Sequence, residues 1–332
     1  APTSQPTGPA ETTTATSTTT SPTGTGQPAY LDDRSTPDRL IQSLFNAINR
    51  HEYLRAYSYW QNPEQNPNVG SFEQFQQGYQ NTASVEAQTG VASSDAGAGQ
   101  FYFTLPVALI AHSTQGQTQA YAGCYTLHIS NPGVQGTPPF QGLAIRSANV
   151  KQAAADAKPA DLLAVGCQGD PNYQPSPQNP APTSNPQDIE AQNYLDDRSD
   201  AIQVLRSLFN AINRKEYVRA YSYWQVNASG LPPFAQFEAG YQDTASVQVT
   251  FGTPSSDVGA GQLRYRVPVS MSVQTVQGQA EHYAGCYQLH LSQPAIQATP
   301  PFQPLGIEKA NVEKVSSASE ATARMTSACN NL

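Results

Sequence analysis

The chain has 332 residues, only 13% of them charged, with a net charge of −8 at pH 7 and a pI of 5.1. So acidic and lysine-poor a chain lacks the clustered cations that nucleic-acid backbones and anionic membrane surfaces require. No apolar run approaches the ~18 residues of a membrane-spanning helix, and a prior of about 100–200 residues per domain predicts two domains.

Residues 1–29 are nearly all Thr, Ser, Pro, Gly and Ala, with no periodic apolar face to bury. This stretch is expected to be a stalk, carrying O-linked glycans on its hydroxyls or left as a bare spacer. The first residue is Ala1, with no hydrophobic leader, and the chain is expected to be a mature protein whose export signal has been removed or left out.

The next stretch, YLDDRSTPDRLIQSLFNAINRHEYLRAYSYW from Tyr30 to Trp60, returns at Tyr194–Trp224 as YLDDRSDAIQVLRSLFNAINRKEYVRAYSYW, with roughly two thirds of paired positions identical. The chain is therefore a tandem duplication: residues 30–167 form the first unit, 168–193 a Pro/Gln/Asn-rich linker, and 194–332 the second unit. Proline is expected to keep the linker extended and semi-rigid.

In the first copy, Thr36 predicts a helix N-cap with Pro37 in the first turn and Asp38 favoured by the helix dipole. Leu40, Ile41, Leu44, Phe45 and Ile48 recur at helical spacing and predict one buried stripe; the second copy repeats it with Val204, Leu205, Leu208, Phe209 and Ile212, and with Ser199 as the expected cap. Asn49–Arg50–His51 ends the helix. A short helix then carries Tyr53, Ala56, Tyr57 and Trp60, and after a Pro/Asn loop a third helix carries Phe72, Phe75 and Tyr79.

From Ser84 the period changes to two. Ser84–Val91 predicts a strand, Ser93–Ser94–Asp95 with Gly97 and Gly99 a turn, and Phe101–Ala111 a long strand with Phe101, Phe103, Leu105, Val107 and Leu109 on one face. Pro106 and Pro268 interrupt this strand at the same point in both copies, which predicts a bulge or an edge. Strands over Tyr121–Ile129 and Leu143–Val150 follow, the former placing Cys124, Thr126 and His128 on the face opposite the apolar one.

The four cysteines, Cys124, Cys167, Cys286 and Cys329, repeat with the duplication. Three connectivities are possible; the repeat favours Cys124–Cys167 and Cys286–Cys329, each closing a loop of about 43 residues worth on the order of 4 kcal/mol in the chain-entropy model. Disulfides place the protein outside the cytoplasm. Zinc binding is disfavoured, because the cysteines are far apart and no CxxC or histidine cluster accompanies them.

Helices followed by a bent antiparallel sheet make an α+β pattern. FNAINRHEYLRAYSYW, SFEQFQQGYQNTASV, LPVALIAHS, YAGCYTLHIS and LAIRSANV come in the order seen in NTF2-like (SnoaL-like, cystatin-like) domains, and FNAINRKEYVRAYSYW, PFAQFEAGYQDTASV, VPVSMSV, YAGCYQLHLS and LGIEKANV repeat it. The resemblance covers about 30–155 and 194–317 and is similar in kind to secreted bacterial members of unassigned role. It implies two cone-shaped units, each with N-terminal helices packed on the sheet. Enzymes and non-catalytic modules both use this fold, so the fold alone implies no activity.

NTF2-like enzymes place Asp, Tyr or His inside the cone. The acids common to both copies are Asp32, Asp33, Glu52 and Asp95, matched by Asp196, Asp197, Glu216 and Asp257. Each has a structural reading as cap, arginine partner or turn residue, and none falls on an inward strand face where a general base is needed. His128 and His290, the only histidines common to both copies, lie on the cysteine face and read as hydrogen-bonded surface histidines rather than bases or ligands. The aromatic set is the stronger candidate: Tyr57, Trp60, Tyr79 and Tyr125, with Tyr221, Trp224, Tyr241 and Tyr287, are expected to fill the core or to line a pocket suited to sugars or flat apolar molecules. No phosphate loop, GxSxG elbow, HExxH or nucleotide fingerprint is present, and no cofactor or metal is expected.

The function expected from these features is a non-enzymatic extracellular or cell-surface protein acting in adhesion or surface assembly, partnered by other copies of itself or a surface polymer and polymerising through its N-terminal tail. The alternative is a small-molecule- or sugar-binding protein, or an enzyme, using an aromatic-lined cone pocket.

Overall fold

The computed structural model describes residues 27–174 and 193–330. The expected stalk lies outside these residues up to position 26, as does the linker from 175 to 192.

Helix α1 (Pro37–Asn49) starts at Thr36, whose hydroxyl accepts from the Arg39 N–H. Its apolar stripe, Leu40, Ile41, Leu44, Phe45 and Ile48, is buried, as a one-sided helix requires. The chain reverses at His51, in the left-handed region with a φ of 57°, and enters α2 (Tyr53–Tyr57). Helix α3 (Phe72–Gly78) opens on a reciprocal capping box between Ser71 and Gln74.

The sheet follows as β1 (Thr82–Thr89), β2 (Ser93–Gly97), β3 (Gln100–Ser113), β4 (Thr118–Ser130) and β5 (Ala144–Ala153). The order is β1-β3-β4-β5, all antiparallel, with β2 continuing along the same edge of β3 as β1. Two expectations change here. Ser93–Gly97, read as a turn, is a strand; only Ala98 and Gly99 turn, both at positive φ. Pro106 causes no bulge, since the β3–β4 register runs unbroken from Gln100 to His112. It sits instead between the last residue pairing with β1, Val107, and the first pairing with β2, Thr104. Its carbonyl accepts from Gly90, and the position whose N–H proline lacks faces a gap where no strand asks for one.

Leu105, Val107, Leu109, Tyr125, Leu127 and Ile145 close over α1 as the inner core. The other face of β3 and β4 is covered by α4 (Pro159–Gly166), with Leu162 against Ala108 and Ala120. That coverage explains why the middle of β3 is buried on both faces rather than alternately. The approach is close: a Cβ on Gly166 would lie 2.6 Å from the Gly123 carbonyl oxygen. Cys124 and Cys167 are disulfide-bonded, with Cα atoms 4.8 Å apart, and fasten the end of α4 to β4; Cys286 and Cys329 do the same in the second copy.

The second copy runs α5 (Ala201–Asn213), α6 (Tyr217–Ser222), β6 (Trp224–Ser229), α7 (Phe234–Ala239), β7 (Thr244–Phe251), β8 (Ser255–Gly259), β9 (Gln262–Thr275), β10 (Ala280–Ser292), β11 (Gly306–Val315) and α8 (Ala318–Met325). Its core is separate, built from Val204, Leu205, Leu208, Phe209 and the inner faces of β9 and β10. Two differences from the first copy are informative. The helix cap is Asp200, accepting from the Gln203 N–H, not Ser199. And the loop after the tryptophan becomes β6, parallel to β11. In the first copy only Trp60 bridges to Ile145, because Pro63 then turns the chain into a 3-10 turn.

The copies meet through their identical Tyr30–Ser35 and Tyr194–Ser199 segments. Asp33 and Asp197 form an antiparallel bridge. The Arg34 N–H donates to the Asp196 carbonyl and the Arg198 N–H to the Asp32 carbonyl, both at 2.7 Å. The Asp32 and Asp196 N–H groups donate to the Ser199 and Ser35 hydroxyls at 3.0 and 2.9 Å. Tyr30 packs against the second core and Tyr194 against the first. The contact is thus reciprocal, like an isologous dimer interface inside one chain.

At its centre the carboxyls of Asp33 and Asp197 face each other. Burial, and then Asp33, push Asp197 up to about 7. Asp33 is also raised, by burial first, against bonds from Ser35 and the Arg39 charge. An acid raised in the folded state keeps a proton that the unfolded chain has lost. Stability from this pair is therefore fully present below an unfolded pKa of ~3.9 and lost as pH rises through about 7.

Two outcomes are expected. Asp197→Asn, which keeps an acceptor for the Ser199 N–H, should be more stable than the native chain by about 1 kcal/mol at pH 8 and indistinguishable from it near pH 4 in urea unfolding; an unchanged difference across that range would contradict the assignment. Replacing Cys124 and Cys167 together by Ser should lower stability by about 2–4 kcal/mol, read from the urea midpoint.

Candidate functional site

Of the acids shared by both copies, Asp32, Asp33 and Glu52 and their counterparts are engaged in structure. Glu52 occupies the N-cap position of α2. Its side chain makes no cap bond there; it lies between Arg50 and Arg55, at 2.8 and 2.6 Å. Arg55 is completely buried. Its guanidinium donates to Glu52, to Asn46 Oδ1 at 2.8 Å, to the Tyr59 hydroxyl at 3.2 Å and to the Leu31 carbonyl, with the Tyr30 ring 4.4 Å away. Asp32, also completely buried, accepts from the Tyr59 hydroxyl at 2.9 Å and pairs with Arg34 at 3.6 Å. It does not cap α1, a role Thr36 fills. Arg219, Glu216, Asn210, Tyr223, Asp196 and Arg198 repeat the arrangement. Sequence reading did not single out Arg55 and Arg219. Their signal was the Glu-Tyr-x-Arg spacing, i,i+3 on a helix, kept in both copies. Asp95 and Asp257 are exposed on β2 and β8.

His128 accepts or donates at both ring nitrogens, to Gln61 at 3.1 Å and Gln100 at 2.7 Å, and packs at a tilt against the Tyr102 ring, 4.7 Å away. Burial, and then Arg146, hold it below the ordinary histidine range, so it is neutral at pH 7. His290 is held in the same way by Gln225 and Gln262. Among the described residues no group of three or more His, Cys, Asp or Glu could hold a metal ion.

The aromatic residues separate into two sets. The Tyr57 hydroxyl donates to the Gly70 carbonyl at 2.9 Å and the Tyr221 hydroxyl to the Pro232 carbonyl at 3.0 Å. Each packs edge-on against the two phenylalanines of the next helix, and Tyr221 is not on the wall of the cavity described next. Trp224, Tyr241 and Tyr287 line a cavity of about 730 Å³ between α5, α7 and the sheet, together with Phe209, Phe237, Val247 and Met271, while Tyr57 and Trp60 line a separate hollow of about 420 Å³ against Pro300, Pro301 and Phe302. Tyr287 is the centre of this wall, with Phe209 and Trp224 rings 6.1 and 6.2 Å from it. The first copy carries the same set, with Trp60 6.2 Å from Tyr125 and Phe75 5.2 Å from Tyr79.

The Tyr287 hydroxyl has no hydrogen-bond partner among the described residues, although the side chain is only 5% exposed. It is not among the sealed, unpartnered polar atoms, so it opens into the cavity it lines. Burial, and then Tyr241, raise its phenol well above the ordinary value; burial, and then Tyr217, push Tyr241 up to about 12. Both stay protonated at any physiological pH. They can donate and accept hydrogen bonds but are too weakly acidic to shuttle protons near neutrality. The rim is polar, with Gln277, Gln279, Asp243 and Glu281. Glu281 accepts from Tyr283 at 2.6 Å and from Lys314 at 2.7 Å.

No protein-family model matches the sequence, nor does any functionally described protein. Three solved structures share a likeness. One is a conserved protein from Planctomyces limnophilus DSM 3776, at 14% identity and a TM-score of 0.27, covering 34% of this chain and 94% of that one. Another is a type 2 hexachlorocyclohexane dehydrochlorinase (LinA), at 14% identity and a TM-score of 0.27, covering 35% and 84%. The third is a protein of unknown function from Mycobacterium tuberculosis, at 11% identity and a TM-score of 0.26, covering 40% and 89%. The α+β assignment rests on the elements described above. The two disulfides fit an oxidising compartment, and no helix among the described residues is long and apolar enough to cross a membrane.

Arg55→Ala removes the fork that joins Glu52, Asn46 and the Leu31 carbonyl. It should cost about 3 kcal/mol or more in urea unfolding, because buried acceptors lose their donors. Arg55→Lys should recover less than half of that, since a point charge cannot satisfy three directions at once. A loss below ~1 kcal/mol for the alanine variant would show that water replaces the guanidinium.

Proposed function

We propose that the protein is a non-enzymatic, extracellular or cell-surface binding protein built from two NTF2-like cone units, 30–167 and 194–332, and that the second takes a flat apolar or sugar-like molecule in its aromatic cavity. The observation that carries this reading is the unpartnered Tyr287 phenol on the wall of the cavity of about 730 Å³. The phenol opens into the cavity, so a ligand oxygen can take the place of water as its hydrogen-bond partner. Aromatic walls with a few placed polar groups are the usual make-up of small-molecule sites. The protonated phenols and the neutral His290, bound at both nitrogens outside the lining, favour binding over proton-transfer chemistry. A role in surface assembly draws separate support from the paired Tyr30–Ser35 and Tyr194–Ser199 edges.

The chain has two tryptophans, so Trp60→Phe leaves Trp224 as the single indole reporter on the cavity wall. Titrating that variant with 2-naphthol and with maltotriose should give saturable quenching by one of them. Tyr287→Phe should weaken it about fivefold to tenfold, the share of one hydrogen bond. Fluorescence that stays unsaturated to millimolar concentrations of both, and of a wider aromatic set, would remove the reading.

A further inference from the structure

The Tyr30–Ser35 segment is satisfied on one side by its own copy and on the other by its twin. Leu31 and Asp33 face inward: the Leu31 N–H donates to Asn46 Oδ1 at 3.1 Å, its carbonyl accepts from Arg55, and the Asp33 N–H donates to the Ser43 hydroxyl at 2.9 Å, which returns a bond to the Asp33 carbonyl. Asp32 and Arg34 face outward. Among the described residues the Asp32 N–H, the Asp32 carbonyl and the Arg34 N–H are bound through Ser199, Arg198 and Asp196. The second copy alternates identically, with Leu195 and Asp197 held by Asn210 and Ser207, and Asp196 turned to Ser35 and Arg34. This is the period-two alternation of a strand. The inward half is fixed by each copy alone, so the outward half is a preformed edge, and an unpaired strand edge recruits another.

The two edges are the same six residues, YLDDRS. Nothing in their chemistry tells a twin in the same chain from one in another chain. The pairing is reciprocal, so each edge is consumed by one partner, and each chain carries two. The segment 168–193, extended, would reach about 85 Å, enough for the copies to part without strain.

We propose that the Tyr30–Ser35 and Tyr194–Ser199 edges are an exchangeable pairing surface whose second partner is another copy of this chain. Closed within one chain, they give a monomer. Exchanged, the second copy of one molecule pairs with the first copy of the next, which gives a closed dimer where the exchange is mutual and a linear array where it is not. Tethering sets the balance: a connection of this length holds the twin edge at an effective concentration of roughly millimolar, so exchange is favoured by crowding at a surface or by folding at high concentration.

The test uses full-length chains carrying Asp33→Cys alone and Asp197→Cys alone, the two residues that face each other across the bridge. They are unfolded together in urea with native disulfides intact, refolded at about 1 mM, the concentration at which exchange competes, and oxidised with copper phenanthroline. The expected product is a covalent heterodimer whose cross-linked peptides, by mass spectrometry, join position 33 of one chain to 197 of the other. Adding Arg34→Pro, which deletes the N–H given to Asp196, should reduce that heterodimer at least fivefold. Light scattering on the unmodified chain refolded the same way should show dimers and larger arrays that are absent after refolding at about 1 µM. No cross-link between the two singly substituted chains, together with a monomeric unmodified chain at both concentrations, would overturn the proposal.

Discussion

A guanidinium with no exposure to water fixes the start of each copy. Arg55 and Arg219 each sit where the first two helices meet the segment that precedes them, and they are among the largest fully buried side chains in the molecule. A buried charge is tolerable only when every direction it points is answered. Here the answers come from three places: a glutamate one turn earlier, an asparagine on the first helix, and a carbonyl of the Tyr-Leu-Asp-Asp-Arg-Ser segment. The requirement to satisfy all of them at once brings those three pieces into one geometry. It also explains why this segment adopts a strand conformation without a neighbouring strand of its own copy.

That constraint has a consequence for the whole chain. Holding alternate residues of the segment against its own helices leaves the intervening residues facing outward, and the two copies then complete each other. The contact between them joins backbone hydrogen bonds to the exchanged rings of Tyr30 and Tyr194, and it places two carboxyls face to face at its centre. Neighbouring like charges at a partly buried site oppose association at neutral pH, so the junction is weaker than its four backbone-linked hydrogen bonds alone would make it.

The sheets serve a different purpose. On one face they meet the amphipathic helices and on the other a disulfide-anchored helix, so β3 and β9 are covered twice at their centres. Between helices and sheet, the same tryptophan and tyrosines recur in both copies, yet the rims have diverged. Asp243, Glu281 and Lys314 stand where the first copy has Asn81, Gln119 and Gln152. A tyrosine hydroxyl donates to the rim residue in both cases, to Glu281 in one and to Gln119 in the other. Duplication kept the aromatic wall and changed the charge at its mouth.

By itself the sequence determined the features that depend on near neighbours. The repeat, the Thr36 cap, the stripe from Leu40 to Ile48 and the alternation from Phe101 to Leu109 follow from spacing and local hydrogen bonding. Errors arose where a residue's partner lies far away in the chain. Ser199 reads as a cap, but its hydroxyl is taken by Asp32 of the other copy, and Asp200 caps instead. Ser93–Gly97 has turn composition, yet the free edge of β3 beyond Pro106 gives it a ladder to join. Tyr57 and Tyr287 look alike in sequence, and only packing turns one hydroxyl to a carbonyl and the other to a cavity. The tertiary structure alone decided the burial of Arg55 and the meeting of Asp33 with Asp197, because those energies come from solvent exclusion and from contacts between distant segments, which no local pattern encodes.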